Sequence, residues 1–221
     1  MRTPVPPQAG VLPRAPLPAR VTTYLIATVL VGVGVALMVR AKLGVAPNDV
    51  LNTGLAETVG VGVGTASWIT GAVAMALAWV LGRPPRVPTL AGSVIVGLSV
   101  NATMAILPGV TPIAARVLLL VCGLVAVWTG IVGVVAADVG AGPLELIMLA
   151  LVDRGAGIRP VRWGIELTLL AAGLALGGDA SVGTVVFVLA TGPVLAWALP
   201  PACRRLGTTL TAAADLAATS Q

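Results

Sequence analysis

The sequence predicts an all-α membrane protein in which six transmembrane helices form two inverted three-helix repeats, each with a short proline-opened helix that does not span the bilayer. Three observations lead to this fold class. Hydrophobic residues make up 57% of the chain and charged residues only 10%, whereas about a quarter of a typical soluble domain is charged. Long apolar stretches recur along the chain, whose mean hydropathy is +1.03. The second half of the sequence also repeats the pattern of the first.

The internal repeat is visible when the sequence is shifted along itself by about 96 residues. The segment LGVAPND at 43–49 then lies over VGAGPLE at 139–145, so that a glycine, a proline and an acid coincide. At an offset of 95, Trp68 lies over Trp163. Internal repeats in membrane proteins usually place a site at the interface between the halves. We therefore expect any functional site of this chain to lie there.

Six apolar stretches are long enough to cross a hydrocarbon core, which needs roughly 17 to 25 residues of helix. They are 21–39, 65–81, 88–107, 117–137, 161–177 and 182–199. Two shorter helices are predicted at 47–58 and 143–153, each with a proline at its first position and a glycine shortly before it. At 1.5 Å per residue each would cover about 18 Å, which is too short to span.

The domain organisation follows from these stretches. Residues 1–20 hold six of the seventeen prolines and predict a disordered cytosolic tail, followed by a first membrane repeat at 21–107, a second at 113–201 and a flexible C-terminal tail at 206–221. With six crossings and a cytosolic N-terminus, ten of the thirteen lysines and arginines lie inside. We expect a multi-pass protein of the bacterial plasma membrane with both termini cytosolic. Three crossings per half is an odd number, so the second repeat must be inverted.

Several classes of function are disfavoured by composition. Histidine is absent, which excludes imidazole catalysis and metal sites built on imidazole. Cys122 and Cys203 are 81 residues apart and predict neither a disulfide nor a metal pair. The net charge of +5 comes from basic residues scattered at the ends of apolar segments, which is typical of contact with lipid headgroups and not of nucleic-acid binding. We expect the bilayer as partner, with no metal, no cofactor and no enzymatic activity.

Asp49 and Glu145 occupy equivalent positions, two residues after the proline that opens each short helix. An acid in the first turn of a helix is stabilised by the macrodipole, by about 0.3 to 1 kcal/mol, and this capping role would explain both residues. Alternatively, the glycine-proline segments dip into the membrane as broken helices and place the two carboxylates on the path of an ion or small solute.

Four further polar side chains are candidates for such a path. Glu166 follows Arg162 by four residues, so that a salt bridge on one helix face competes with a functional role as an intramembrane acid. Asn101 lies within the third span, where an interhelical hydrogen bond is the alternative to ligand binding. Asn48 and Asn52 accompany Asp49 on the first short helix and would enrich a polar site there.

The motifs LGVAP-x-D and VGAGP-x-E, together with VGTASW at 63–68, make the chain resemble the YczE/YitT-like family of bacterial integral membrane proteins. The resemblance covers roughly residues 22–205. It implies a polytopic inner-membrane protein and carries no assigned biochemical activity. The sequence departs from the fuller pattern at GIRPVRW, where Arg159 and Pro160 replace a glycine-threonine turn.

Two functions fit these features best. A transporter or permease for a small solute is favoured by the inverted repeat, the short helices and the paired acids. A scaffold or accessory protein that supports another enzyme or pathway is favoured by the scarcity of buried polar groups. An intramembrane enzyme is the least favoured of the three functions, because the sequence has neither a zinc signature nor a serine-base arrangement.

Overall fold

The computed structural model describes residues 14–208, which form eight α-helices and no strand. The helices are α1 (Leu17–Ala41), α2 (Pro47–Val59), α3 (Val63–Val80), α4 (Val87–Ile106), α5 (Ile113–Ala137), α6 (Pro143–Val152), α7 (Ile158–Ala175) and α8 (Val182–Leu206). The two short helices begin at the predicted prolines. Proline suits the first helical position because its missing N–H would have no intrahelical partner there.

Five helices of the described residues are long and apolar enough to cross a membrane, namely α1, α3, α4, α5 and α8. The sixth predicted span corresponds to α7, which has 18 residues, as α3 has. It is not one of the five. Arg159, Arg162 and Glu166 all lie in its first half and make it too polar.

The predicted tails are described only in part. Helix α1 begins at Leu17, so the last four residues of the predicted disordered segment 1–20 are helical. At the other end, α8 continues to Leu206, beyond the predicted end of its apolar stretch at 199. Residues 1–13 and 209–221, which make up most of the predicted tails, lie outside the described residues.

The helix ends collect at two faces of the bundle. We call the face where α1 begins the proximal face and the face where it ends the distal face. At the proximal face the Tyr24 hydroxyl donates to the carbonyl oxygen of Pro88 (2.7 Å), which holds the start of α4 beside the start of α1. The N–H of Ala15 donates to the carbonyl oxygen of Leu206 (3.0 Å), so α8 ends at this face.

Corresponding hydrogen bonds join the helix ends at the distal face. The N–H of Gly183 donates to the carbonyl oxygen of Leu43 (2.7 Å), so α8 begins beside the end of α1. The guanidinium of Arg40 donates to the carbonyl oxygen of Met104, so α4 ends at this face. Helices α4 and α8 therefore run in opposite directions.

Helices α1 and α5 form the central pair, and glycines let their backbones approach closely. A β-carbon built on Gly34 would lie 2.8 Å from the carbonyl oxygen of Gly123, and one built on Gly123 would lie 2.9 Å from that of Gly34. Small residues at such crossings allow the van der Waals packing that holds membrane helices together.

Arginines bind the C-terminal carbonyl groups of both central helices. Arg20 is only 9% exposed, and its Nε donates to the carbonyl oxygen of Ala137 (2.8 Å) at the end of α5. Its Nη2 donates to the carbonyl oxygen of Asp138 and pairs with the carboxylate of that residue (3.2 Å). The last carbonyls of a helix have no intrahelical partner, so Arg20 satisfies groups that would otherwise be left unpaired.

Arg116 makes the equivalent contacts at the distal face. Its Nε donates to the carbonyl oxygen of Ala41 (2.8 Å) and its Nη2 to that of Lys42 (2.6 Å), at the end of α1. Lys42 and Asp138 both have φ of 49°, so both central helices end in a left-handed residue.

The outer helices pack around this pair. Helix α4 packs along α1, α8 along α5, α3 along α4, and α2 along α7. The short helix α6 packs between α3 and α7. Within residues 14–208, helices α7 and α8 do not pack along one another.

Candidate functional site

The two short helices come together at the middle of α3. The hydroxyl of Thr70, halfway along α3, donates to the Oδ1 of Asn52 on α2 (2.7 Å). A β-carbon built on the next residue, Gly71, would lie 3.9 Å from the Cγ of Pro143, the first residue of α6. The N-terminal parts of α2 and α6 therefore lie near half depth in the bundle.

From this depth the short helices run to opposite faces. The C-terminal half of α2 reaches the distal end of α7, where the N–H of Asp179 donates to the hydroxyl of Thr53 (3.0 Å). Helix α6 ends at the proximal face, where Asp153 pairs with Arg83 at 2.5 Å. Each short helix thus covers about half of the bundle's depth, and the irregular segment before it lies inside the bundle.

A cavity of about 770 Å³ lies where the short helices meet. Its walls include Asn48, Asp49, Glu145 and Glu166, so four of the six predicted site residues reach one space. Asn52 lies behind this wall and hydrogen-bonds to Asp49. Asn101 is the sixth, and it lies elsewhere.

Asp49 is the most buried acid of this cavity, at 9% exposure. Its Oδ1 accepts a hydrogen bond from the Nδ2 of Asn52 (3.0 Å), and Asn52 accepts from Thr70. This chain of three polar groups orients the carboxyl group. Its Oδ2 accepts no hydrogen bond from the described residues and is not fully enclosed by them. It is therefore open to the cavity.

Glu145 and Glu166 have closer partners on their own segments. The Oε2 of Glu145 accepts from the N–H of Gly142 (2.9 Å), which is the local contact expected of an acid at a helix start. Glu166 pairs with Arg162, four residues earlier on α7, at 3.1 Å. Both side chains of that pair are about a third exposed, so the pair lies at the cavity wall and not in the core.

Asn101 lies beside a second cavity of about 310 Å³, near the distal face. Its Oδ1 accepts from the N–H of Gly64 (3.0 Å) at the start of α3, and its Nδ2 donates to the hydroxyl of Thr65 (3.2 Å). These are the interhelical hydrogen bonds that the sequence offered as an alternative to ligand binding. Arg40, with its Nε buried and without a partner in the described residues, lines the same cavity.

Sequence reasoning missed Tyr24 and Thr70, which also line the large cavity. Tyr24 is the only tyrosine of the chain and stands inside an apolar span, which was a usable signal. Thr70 gave no such signal, because threonines are frequent in these helices. Within residues 14–208 no group of three or more cysteines or acids is arranged to hold a metal ion.

These features define the class of protein as an all-helical membrane protein with an acid-lined cavity between two half-length helices. The chain belongs to DUF6198, described as a family of unknown function, which matches residues 18–200. It is 30% identical to the uncharacterized membrane protein YczE of Bacillus subtilis (strain 168). The similar region is 190 residues long and covers 85% of this chain and 88% of the relative. The resemblance to a YczE-like family is confirmed.

A second relative is described as an uncharacterized protein of Haemophilus influenzae. It is 27% identical over 180 residues, covering 79% of this chain and 81% of the relative. No solved structure matches the chain.

Proposed function

We propose that this protein is a transporter or permease that carries a small solute between two inverted halves of the chain. The observation that carries the proposal is the meeting of α2 and α6 at the middle of α3, beside a cavity of about 770 Å³ that their first-turn acids line. Irregular backbone at membrane depth is tolerated where it lines a cavity, and broken helices near the midplane are a recurring way to build transport sites.

The proposed inverted repeat is supported by contacts that recur 96 positions apart. Arg20 and Arg116 are separated by this number, and so are the residues at which each binds the end of the opposite central helix. The equivalent helices α1 and α5 run in opposite directions, as do α4 and α8. In transporters built from inverted repeats, alternating access is largely a rocking of one repeat against the other around the site between them.

Six crossings also form part of the proposal, with α7 as the sixth. Helix α7 begins shortly after the Arg83–Asp153 ion pair of the proximal face and is followed by Asp179, which contacts α2 towards the distal face. Its three charged residues lie in the half nearer the proximal face, where long side chains can reach the headgroups.

The orientation proposed is the plasma membrane of a bacterium with the proximal face and both termini in the cytosol. Among the described residues the distal face has three basic side chains, Arg40, Lys42 and Arg116. The other arginines lie in segments at or near the proximal face, and the excess of positive charge marks the cytosolic side.

An accessory protein that moves nothing is the second candidate. It is favoured by the partners of Glu145 and Glu166, since a carboxylate that caps a helix or binds an arginine one turn away is explained without a solute. Asp49 is the residue on which the two candidates differ most, because it is the most buried of the three acids and neither caps its own helix nor binds an arginine.

A solute screen tests the proposal. Purified protein is heated in the presence of a library of ions and small metabolites, because a solute that binds the folded state alone raises the unfolding temperature. Hits are then followed as flux into proteoliposomes. We expect Asp49→Asn to fold and insert normally but to lose both the thermal shift and the flux. Glu57→Gln is the matched control, since Glu57 is an exposed acid on the same helix and does not line the large cavity.

Unchanged binding and flux in the variants of both acids would contradict transport. If Asp49→Asn and Glu145→Gln both retain the binding and flux of the parent at equal levels of inserted protein, neither acid belongs to a solute path. The accessory function then becomes the better account of the fold.

A further inference from the structure

The large cavity is apolar over most of its wall, and its charged groups are few. Valine, leucine and isoleucine side chains from α1, α3, α5 and α7 line it, together with Phe187 of α8. Its volume of about 770 Å³ lies within the range of small-molecule sites, roughly 300 to 1,000 Å³. A site of this kind suits a solute with an apolar body and one polar group.

The helices around the cavity pack differently in the two halves of the chain. In the first half of the chain α3 packs along α4, whereas α7 and α8 do not pack along one another in the described residues. The cavity wall includes Ile165 and Leu169 of α7 together with Val134 of α5 and Phe187 of α8. The apolar body of a solute in the cavity would therefore contact side chains of α5, α7 and α8.

The charges of the cavity favour a cation. Three carboxylates line it, those of Asp49, Glu145 and Glu166, against the single guanidinium of Arg162. The N-terminal ends of α2 and α6 each contribute roughly half a positive charge. With all four side chains ionised, the balance is about one negative charge, which one monovalent cation would neutralise.

We propose that this cavity binds a monovalent lipophilic cation, with the charge against Asp49 and the apolar body against α3, α5 and α7. The proposal rests on the transport function proposed above and names its substrate class. Asp49 is the residue that would select the charge, because it is the most buried of the three acids, whereas Glu145 binds the N–H of its own helix start and Glu166 pairs with Arg162. The Oδ2 of Asp49 is open to the cavity, so a cation can approach it without breaking an internal contact.

Tetraphenylphosphonium tests this directly, and tetraphenylborate is its control, since it has the same shape with the opposite charge. Each ion is titrated into the purified full-length protein in nonionic detergent, and binding is measured by calorimetry and by the shift in unfolding temperature. We expect the parent and Glu57→Gln to bind the cation with similar affinity. Asp49→Asn should bind it about tenfold more weakly or worse, and tetraphenylborate should bind the parent no better than that variant binds the cation.

A second variant tests the location independently of the charge. A β-carbon on Gly71 would meet only Pro143, at ordinary contact distance, and Gly71 lines the cavity, so the side chain added by Gly71→Leu begins without a clash and takes up space at the cavity wall. It should weaken binding of the cation by reducing the space while leaving every carboxylate in place. This variant and the comparison of the two ions decide the question if Asp49→Asn does not fold.

Three results would overturn the proposal. They are equal binding of both ions, unchanged affinity of Asp49→Asn, and unchanged affinity of Gly71→Leu, because each indicates partition of phenyl groups into apolar surface elsewhere. If the solute screen instead finds a neutral or anionic solute, a lipid included, whose binding is lost in Asp49→Asn, the cation inference fails while the transport function stands. If no solute of any charge binds, both fail.

Discussion

Arg20 and Arg116 make the same pair of contacts at opposite ends of the central helices. Each donates from Nε at 2.8 Å to the last helical carbonyl of the other helix and from Nη2 to the left-handed residue that follows. Because the guanidinium group has five donors in a fixed plane, one arginine can satisfy two adjacent carbonyls. The α1–α5 pair is thereby fixed at both faces by one repeated device.

We expect Arg20→Met and Arg116→Met each to lower the free energy of unfolding by about 1 to 3 kcal/mol, since each leaves carbonyl groups at a helix end without a donor. Methionine keeps most of the apolar stem and isolates the loss of the donors. Thermal unfolding in detergent is the measurement, and Arg86→Met, at an exposed loop position, is the control. A loss no larger than that of Arg86→Met would show that water replaces these donors.

Close backbone contact between Gly34 and Gly123 supplies the second prediction. An added β-carbon at Gly34 would meet the Gly123 carbonyl oxygen at 2.8 Å, so Gly34→Ala must push α1 and α5 apart. Overpacking of this kind costs about 1 to 3 kcal/mol of stability. Gly164→Ala is the matched control, because Gly164 is also helical and a β-carbon there meets nothing within 4 Å. Equal unfolding temperatures of the two variants would contradict the tight crossing.

The starts of the short helices could be predicted from sequence, because proline and the preceding glycine act locally. Both helices begin at the expected residue, and they end at Val59 and Val152, each within one residue of the prediction. The start of α1 was predicted four residues late. Prolines within a proline-rich segment indicated a tail, yet Pro18 stands in the first turn of α1, where proline is tolerated.

The role of Arg20 could not be predicted for the same reason. Counted within the tail, it was one more basic residue for topology, whereas its side chain lies buried against α5. Equivalence of Asp49 and Glu145 in the sequence also concealed a difference in their surroundings. Glu145 binds its own helix start, while Asp49 bonds to Asn52, which in turn accepts from Thr70 of α3 in a contact that no local pattern encodes.

Asn101 is expected to affect stability and not solute binding. Its side chain joins α4 to the start of α3 through Gly64 and Thr65, and it does not line the large cavity. Interhelical hydrogen bonds of this kind contribute about 0.6 kcal/mol each in membrane proteins, so Asn101→Leu should lower the free energy of unfolding by about 1 kcal/mol. Its affinity for any solute found in the screen should match the parent's. A loss of affinity at unchanged stability would instead make Asn101 a binding residue.

The ion pair of Arg83 and Asp153 predicts a dependence of stability on pH. Both residues lie outside the helices, and the Arg83 guanidinium donates to both carboxylate oxygens at 2.5 and 2.7 Å. These hydrogen bonds hold the pKa of Asp153 below its usual range. Because folding favours the ionised carboxylate, the contribution is complete above the ordinary pKa of aspartate and is lost as the pH falls through the lowered folded value.

The unfolding temperature of the parent should therefore exceed that of Asp153→Asn at pH 7, and the difference should shrink as the pH falls below about 4. Arg83→Met should remove the same dependence, and the double variant should be no less stable than either single one. The pair is exposed, so the difference at pH 7 is expected to be small and to fall further in high salt. A difference that does not change with pH would show that the pair is not formed in solution.

The last prediction concerns whether α7 crosses the membrane, which decides between five and six spans. Ala156 lies exposed in the loop before α7, and Asp179 follows its other end. In a variant lacking Cys122 and Cys203, a single cysteine is introduced by Ala156→Cys or by Asp179→Cys, and intact cells are treated with an impermeant thiol reagent. If α7 crosses with the proximal face in the cytosol, the reagent should label Asp179→Cys and leave Ala156→Cys unlabelled until the membrane is permeabilised. Arg86→Cys, in the exposed loop before α4, should behave as Ala156→Cys does, and thus controls for the orientation of the bundle. Labelling of both Ala156→Cys and Asp179→Cys, or of neither, would mean that α7 begins and ends on one side of the bilayer, and the inverted three-helix repeat would then be wrong.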